Sequence, residues 1–229
     1  MAGKRILVVG AGFGGLYAAM GLRRAVELGH RVIVVNPENF MQYQPFLPEV
    51  ASGTIDPRAV VVPLRRVLRH CEVVIGEVER VDHDERTARV GLADGRRVAT
   101  RYDVVVLAPG SWARVLPVPG LAEHGVGFKT VQEAIWLRNQ VLSRLDVAAE
   151  TDDAERRRAA MTFVFVGGGY AGVEALGELE DLARDALESY PGLRPDQMRW
   201  TLVEATGSIL PEIGTGLARY ALERLRAHV

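Results

Sequence analysis

Residues 5–15 read Arg5-Ile6-Leu7-Val8-Val9-Gly10-Ala11-Gly12-Phe13-Gly14-Gly15. The run from Ile6 to Val9 is uninterruptedly apolar, the mark of a parallel strand buried on both faces. It ends in G-x-G-x-x-G, and a helix is predicted from Phe13 to Leu28, where Gly29 and His30 stop it. A strand over 31–35 completes a βαβ unit. In that context the glycines have separate tasks. Gly10 allows the tight turn, Gly12 lets backbone approach a pyrophosphate, and Gly15 lets the helix pack against the strand. Phe13 and Gly14 lie between them, at the helix N-terminus where phosphate would sit.

The same arrangement returns. An apolar strand over 162–166 leads into Gly167-Gly168-Gly169-Tyr170-Ala171-Gly172, a helix is predicted over 173–187, and a strand over 200–203. Gly167, Gly169 and Gly172 repeat the three glycine tasks, with Tyr170 and Ala171 between the last two. The repeat is far too long for a solenoid and suits two nucleotide-binding domains. Such units end their second strand in an acid that accepts hydrogen bonds from a ribose. Glu204 fills that position in the second unit, where its charge would repel a 2′-phosphate, so NADH is expected over NADPH. The first unit ends instead in Asn36. Its amide can accept one ribose hydrogen bond, with Glu38 as an alternative, or it can serve as a strand-ending turn residue. Glu174 has two readings: a carboxylate favoured by the helix dipole, or a functional group near nicotinamide and flavin rings.

Between the repeats, Pro37, Pro45, Pro48, Pro57 and Pro63 prevent long regular elements over 36–63, while Phe40, Tyr43, Phe46 and Leu47 supply apolar anchors. Segments 72–81, 87–92 and 96–102 read as an antiparallel meander with Ala93-Asp94-Gly95 as a hairpin turn. A further strand spans 103–107 and ends at Ala108-Pro109-Gly110. A helix is predicted over 131–145, then a surface linker or helix end over 150–158.

The 229 residues carry a net charge of −1. No basic stripe is available for a phosphate backbone, which argues against a nucleic-acid partner. The cluster Arg156-Arg157-Arg158 reads as a solvated face. Cys71 is the only cysteine, so no intramolecular disulfide can form, and with His70 and Glu72 it makes no metal site; a core thiol is expected. Ile6 to Leu22 superficially resembles a secretory signal. Five glycines there, each costing roughly 1 kcal/mol in a helix, argue for the phosphate turn instead.

Two dinucleotide loops, a meander and Val106-Leu107-Ala108-Pro109-Gly110-Ser111 resemble the pyridine nucleotide and flavin dependent oxidoreductases. Within that group the chain looks most like the type II NADH dehydrogenases, the non-proton-pumping NADH:quinone reductases. The resemblance rests on Gln44-Pro45-Phe46-Leu47 with Val50-Ala51-Ser52-Gly53, on Lys129-Thr130, Glu133-Ala134 and Leu137-Arg138-Asn139, and on Gly172-Val173-Glu174. It implies FAD at the first loop, with Gly10, Gly12, Gly15, Gln44, Pro45, Ala108 and Gly110 as contacts and Val78 as backbone partner of the adenine. Pro109 replaces a threonine usual in the family. Related reductases that work through a cysteine pair do not fit, so reducing equivalents would pass as hydride from NADH to FAD and then to an acceptor, a quinone by resemblance.

The implied fold is α/β: two Rossmann-like domains with parallel sheets, the first carrying the meander. Residues 1–118 form an FAD-binding domain and 119–229 an NAD(H)-binding domain. Family members continue further, with a segment returning to the first domain and a membrane-associating end. Both domains are therefore expected to be incomplete, and the chain to aggregate or require a partner, a homodimer among the options. The resemblance further implies a cytoplasmic location at the inner face of the cell membrane, as a peripheral membrane protein. The competing reading is a nucleotide-binding fragment or subunit that turns nothing over without a partner chain.

Overall fold

The computed structural model describes residues 3–113 and 115–228. The chain divides into two compact units, one of Met1–Tyr43 with Val61–Arg114, the other of Gln44–Val60 with Val115–Val229.

In the first unit, β1 (Arg5–Val9) leads to α1 (Phe13–Gly21) and α2 (Arg23–Glu27), then to β2 (Arg31–Asn36). The single helix predicted over 13–28 is thus broken at Leu22. A small hairpin follows, β3 (Phe40–Gln42) against β4 (Val61–Pro63), with residues 44–60 between its strands and the one-turn helix α4 (Leu64–Val67) after it. In the second unit's excursion, α3 (Leu47–Ser52) carries a proline near its start and is stopped by Gly53 in the left-handed region.

The remaining strands are β5 (Glu72–Asp82), β6 (Thr87–Leu92), β7 (Arg97–Arg101) and β8 (Val104–Leu107), in the sheet order β7-β6-β5-β2-β1-β8. β5 joins two kinds of pairing. Its Glu72–Ile75 end runs parallel to β2, and beyond Gly76 it runs antiparallel to β6, with a bulge between Val78 and Arg80. The meander is therefore an extension of the parallel sheet.

Alternation along β1 and β2 explains their apolar runs. Ile6, Val8, Val32 and Val34 pack with Leu16 and Ala19 of α1, while Leu7, Val9, Ile33 and Val35 pack on the other face with Ala88, Val90 and Tyr102 of the meander side. Both faces are covered, so neither strand can carry a polar set.

The second unit contains α5 (Leu121–His124), α6 (Val131–Glu150), α7 (Ala154–Ala160), β9 (Thr162–Val166), α8 (Tyr170–Ala186), β10 (Arg199–Val203) and α9 (Thr215–His228). β9 and β10 pair in parallel over five residues each. α6 starts at a capping box: Thr130 Oγ1 accepts the Glu133 N–H, and the Glu133 carboxylate accepts the Thr130 N–H. It runs five residues beyond the predicted end at Leu145, because Leu145 and Ala148 are fully buried with Ala160, Met161, Leu187 and Leu193.

The stretch read as a surface linker or helix end holds both the end of α6 at Glu150 and a further helix, α7, capped by Asp153, whose Oδ1 accepts the Glu155 and Arg156 N–H groups. Within the arginine cluster, Arg157 donates to the carbonyls of Ala148 and Thr151 and so closes the end of α6, a task a purely solvated face would not have.

Candidate functional site: two glycine loops and a carboxylate cleft

In the first loop Gly10 sits at φ +88° and donates its N–H to the Val35 carbonyl at 2.8 Å. A Cβ at Gly10 would overlap the Ala108 carbonyl, and one at Gly15 would overlap the Gly10 carbonyl. A Cβ at Gly12 would meet nothing within 4 Å, so the loop opens outward at that residue alone among the three. α1 has no side-chain cap, and its first amides face the opening without an intrahelical acceptor. That is the form of a diphosphate cradle. Ala108 donates to the Val9 carbonyl, and its methyl lies 3.8 Å from where a Cβ of Gly14 would stand. Gly110 takes a left-handed conformation just beyond it, at φ +72°. Phe13, partly exposed at the loop mouth, meets Tyr43 edge-on at 5.4 Å.

The second loop repeats the construction. Gly167 sits at φ +109° and donates to the Val203 carbonyl at 2.8 Å, a Cβ at Gly172 would overlap the Gly167 carbonyl, and Gly169 faces open space. α8 likewise lacks a side-chain cap. It begins at Tyr170, three residues earlier than predicted, which moves Glu174 out of the first turn and weakens the reading of its carboxylate as a dipole partner.

Asn36 and Glu204 occupy equivalent places. Asn36 Oδ1 accepts the Ala11 N–H at 2.8 Å, and Glu204 Oε2 accepts the Gly168 N–H at 2.6 Å. Their second atoms differ. Asn36 Nδ2 donates to the Glu38 carbonyl, which ties the amide to its own loop, whereas Glu204 Oε1 accepts the Thr206 N–H. These amide donors, Thr206 first and then Gly168, hold the Glu204 carboxyl below the usual carboxylate range. Glu204 therefore stays ionised, with lone pairs to spare, while Asn36 contributes no charge.

Gln44 and Pro45, expected beside the first loop, fall in the second unit. Gln44 Nε2 donates to the Lys129 carbonyl at 3.2 Å. Pro45 lines a cleft of about 290 Å³ with Pro48, Glu49, Glu174, Gly177, Glu178 and Asp181. α3 packs here against α8 and α6, because Leu47, Val50 and Ala51 are buried. Burial, then the charges of Glu49 and Glu178, raise the Glu174 carboxyl above its ordinary value. Glu49 was not visible as a site residue in the sequence, since only the fold sets α3 beside α8.

Val78 stands opposite Val90 in the meander, at the last regular pair before the β5 bulge. Cys71 is half-buried, and burial pushes its thiol up to about 11, so it remains protonated and unreactive at neutral pH. Among the described residues no group of three or more His, Cys, Asp or Glu is arranged to hold a metal ion, and no helix is long and apolar enough to cross a membrane.

Residues 4–229 match the family described as pyridine nucleotide-disulphide oxidoreductase. A probable mitochondrial NADH-ubiquinone oxidoreductase of Schizosaccharomyces pombe is 35% identical over 230 residues, covering 95% of this chain and 40% of that protein. The type II NADH:quinone oxidoreductase Ndh of Mycobacterium tuberculosis is 32% identical, covering 97% of this chain and 48% of that one. Among solved structures, NDH2 from Plasmodium falciparum in complex with NADH superposes with a TM-score of 0.90 at 20% identity, covering 98% of this chain and 46% of that chain. The chain thus spans less than half the length of the relatives it matches.

Proposed function

Because this chain belongs to the pyridine nucleotide-disulphide oxidoreductase family, we propose that it forms the nucleotide-binding part of an FAD-dependent NADH:quinone oxidoreductase. The single observation that carries the reading is the duplicated cradle: two capless helix starts, each opening at a middle glycine and closed by a third. Both fit a dinucleotide diphosphate. The named relatives act on NADH and ubiquinone or quinone.

FAD and NADH, when bound, supply the hydride chemistry. The chain's own residues bind and orient them. In the first unit Gly10, Gly12, Gly15 and the amides of Phe13 and Gly14 hold the FAD diphosphate; Ala108 and Gly110 border it, and Val78 takes the adenine. In the second, Gly167, Gly169, Gly172 and the amides of Tyr170 and Ala171 hold the NADH diphosphate. Glu204 takes the adenosine ribose and rejects a 2′-phosphate, and Glu174 is the carboxyl nearest the nicotinamide. Gln44 and Pro45 are assigned to the FAD, as the resemblance implies, and belong to the same unit as Glu174. A lone cysteine with a raised pKa supports transfer without a thiol relay. Quinones are lipid-soluble, which supports work at a membrane surface by a peripheral protein.

A second reading, a nucleotide-binding subunit completed by another chain or by a second copy, is favoured by one feature. The two-stranded parallel sheet leaves Val164, Val166 and Val203 roughly half-exposed on one face, whereas parallel sheets are buried on both.

The absorption spectrum of the purified protein, taken before and after anaerobic NADH addition, separates these readings. A flavin band that bleaches supports the oxidoreductase. A colourless protein that stays colourless with added FAD leaves only the subunit.

A further inference from the structure

Three of the four glycines in the second loop have tasks set by φ, by helix packing or by the opening, and Gly168 has none of these. It does not lie at positive φ, so conformation alone would admit another residue. Space would not. A Cβ there would stand 3.0 Å from Glu204 Oε2, 3.0 Å from a methyl of Ile209 and 3.2 Å from Glu204 Cγ. These neighbours are held in place. Ile209 is buried, and Glu204 is engaged at both oxygens, by the Gly168 N–H at 2.6 Å and the Thr206 N–H at 2.8 Å. The backbone is fastened as well. The Gly168 carbonyl accepts the Leu210 N–H at 2.7 Å, and Leu210 keeps a left-handed conformation, φ +49° and ψ 55°, that is disfavoured for a residue with a Cβ. The chain leaving β10 thus folds back onto the glycine turn through one carboxylate and one carbonyl. The first loop is the contrasting case. Its corresponding residue is Ala11, buried, whose N–H goes to Asn36 Oδ1 at 2.8 Å. Asn36 is one methylene shorter than a glutamate and faces a methyl; the longer Glu204 faces none.

We propose that Gly168 is a specificity-determining residue: its missing side chain seats the long Glu204 carboxylate against the turn, and so fixes the charge that separates NADH from NADPH. A methyl at 168 would push the carboxylate, the far end of a movable side chain, off the Gly168 N–H and out toward water. There it would accept poorly from ribose hydroxyls and repel a 2′-phosphate less, since a charge surrounded by water is screened. The inference rests on the reading of the second loop as the NADH cradle and adds a residue to it.

Calorimetry with NADH and with NADPH on the purified chain tests it. Both nucleotides carry the same diphosphate, so damage to the loop at large lowers the two affinities together, and only their ratio reports on Glu204. In Gly168→Ala the preference for NADH is expected to fall about tenfold, the scale of one hydrogen bond to a charged group. Added to Glu204→Asp, whose shorter acid leaves room for the methyl, Gly168→Ala is expected to leave the ratio of that variant nearly unchanged. A preference untouched by Gly168→Ala, or lowered equally in both backgrounds, overturns the proposal. Should Gly168→Ala alone fail to fold, the double variant decides: a folded protein with the ratio of Glu204→Asp upholds the proposal, and an unfolded one overturns it. The two readings fail separately. A wild type without preference for NADH sinks the cradle reading and the proposal with it, whereas a wild-type preference that survives Gly168→Ala sinks the proposal alone.

Discussion

Glu204 and Asn36 make the same hydrogen bond to a glycine-loop amide, yet differ in charge, and the difference has consequences. Glu204→Ala removes acceptors for the Gly168 and Thr206 N–H groups as well as for a ribose. A hydrogen bond to a charged group is worth about 1.5–3 kcal/mol, so calorimetry should show NADH affinity falling at least tenfold, with NADPH affected far less. Unchanged discrimination would remove Glu204 from the ribose site. The carboxyl also carries a pH signature. Its folded pKa lies below the ordinary value, so its contribution to stability is complete above the unfolded-state pKa and disappears as pH falls through the folded one. Denaturant midpoints of the wild type should drop in that acid window more steeply than those of Glu204→Gln. Glu174 has the opposite sign. Its raised pKa makes the folded state prefer the acid, so Glu174→Gln should gain stability relative to wild type as pH rises above the ordinary carboxylate range and match it below.

Elements constrain the loops more tightly than the loops' own residues do. α1 and α8 reach their strands only because Gly15 and Gly172 bring no Cβ against the carbonyls of Gly10 and Gly167. Gly15→Ala and Gly172→Ala should therefore destabilise by about 1–3 kcal/mol or more through overpacking, read as a lowered melting temperature. Gly12→Ala makes the contrasting case. Its Cβ enters open space, so the fold should keep its melting temperature while FAD affinity, measured by fluorescence titration, falls sharply. If Gly12→Ala binds FAD normally, the opening is not a diphosphate site. At the start of α6 the capping box holds the segment that receives Gln44, and Thr130→Ala should cost about 1 kcal/mol.

At the level of the whole molecule, the two units have different degrees of coverage. The six-stranded sheet has both faces of β1 and β2 buried, but β8 is a free edge with Leu107 62% exposed, and Val164, Val166 and Val203 lie open on the second sheet. Exposed apolar sheet faces of this kind associate. Size-exclusion chromatography with light scattering should show concentration-dependent assembly that Val164→Lys reduces without changing the far-ultraviolet dichroism. A stable monomer at high concentration would contradict this.

The βαβ repeats, the meander and the strand boundaries could be read from the chain because each rests on local rules: apolar runs, turn residues and glycines that no other residue can replace. The places of the loop glycines, Asn36 and Glu204 in the fold were legible for the same reason, being spaced by one strand and one helix. Four things were not. The break at Leu22 has no proline or glycine at that residue to announce it, and the helix over Ala154–Ala160, although Asp153 caps it locally, reads from the sequence as a linker or helix end. The contiguous boundary expected near residue 118 gives way to an excursion, because buried Leu47, Val50 and Ala51 find their partners on α6 and α8. Glu49 meets Glu174 for that reason too. Their encounter is long-range, decided by where apolar surface can be buried and not by spacing along the chain, and only the tertiary structure could bring two like charges into one cleft.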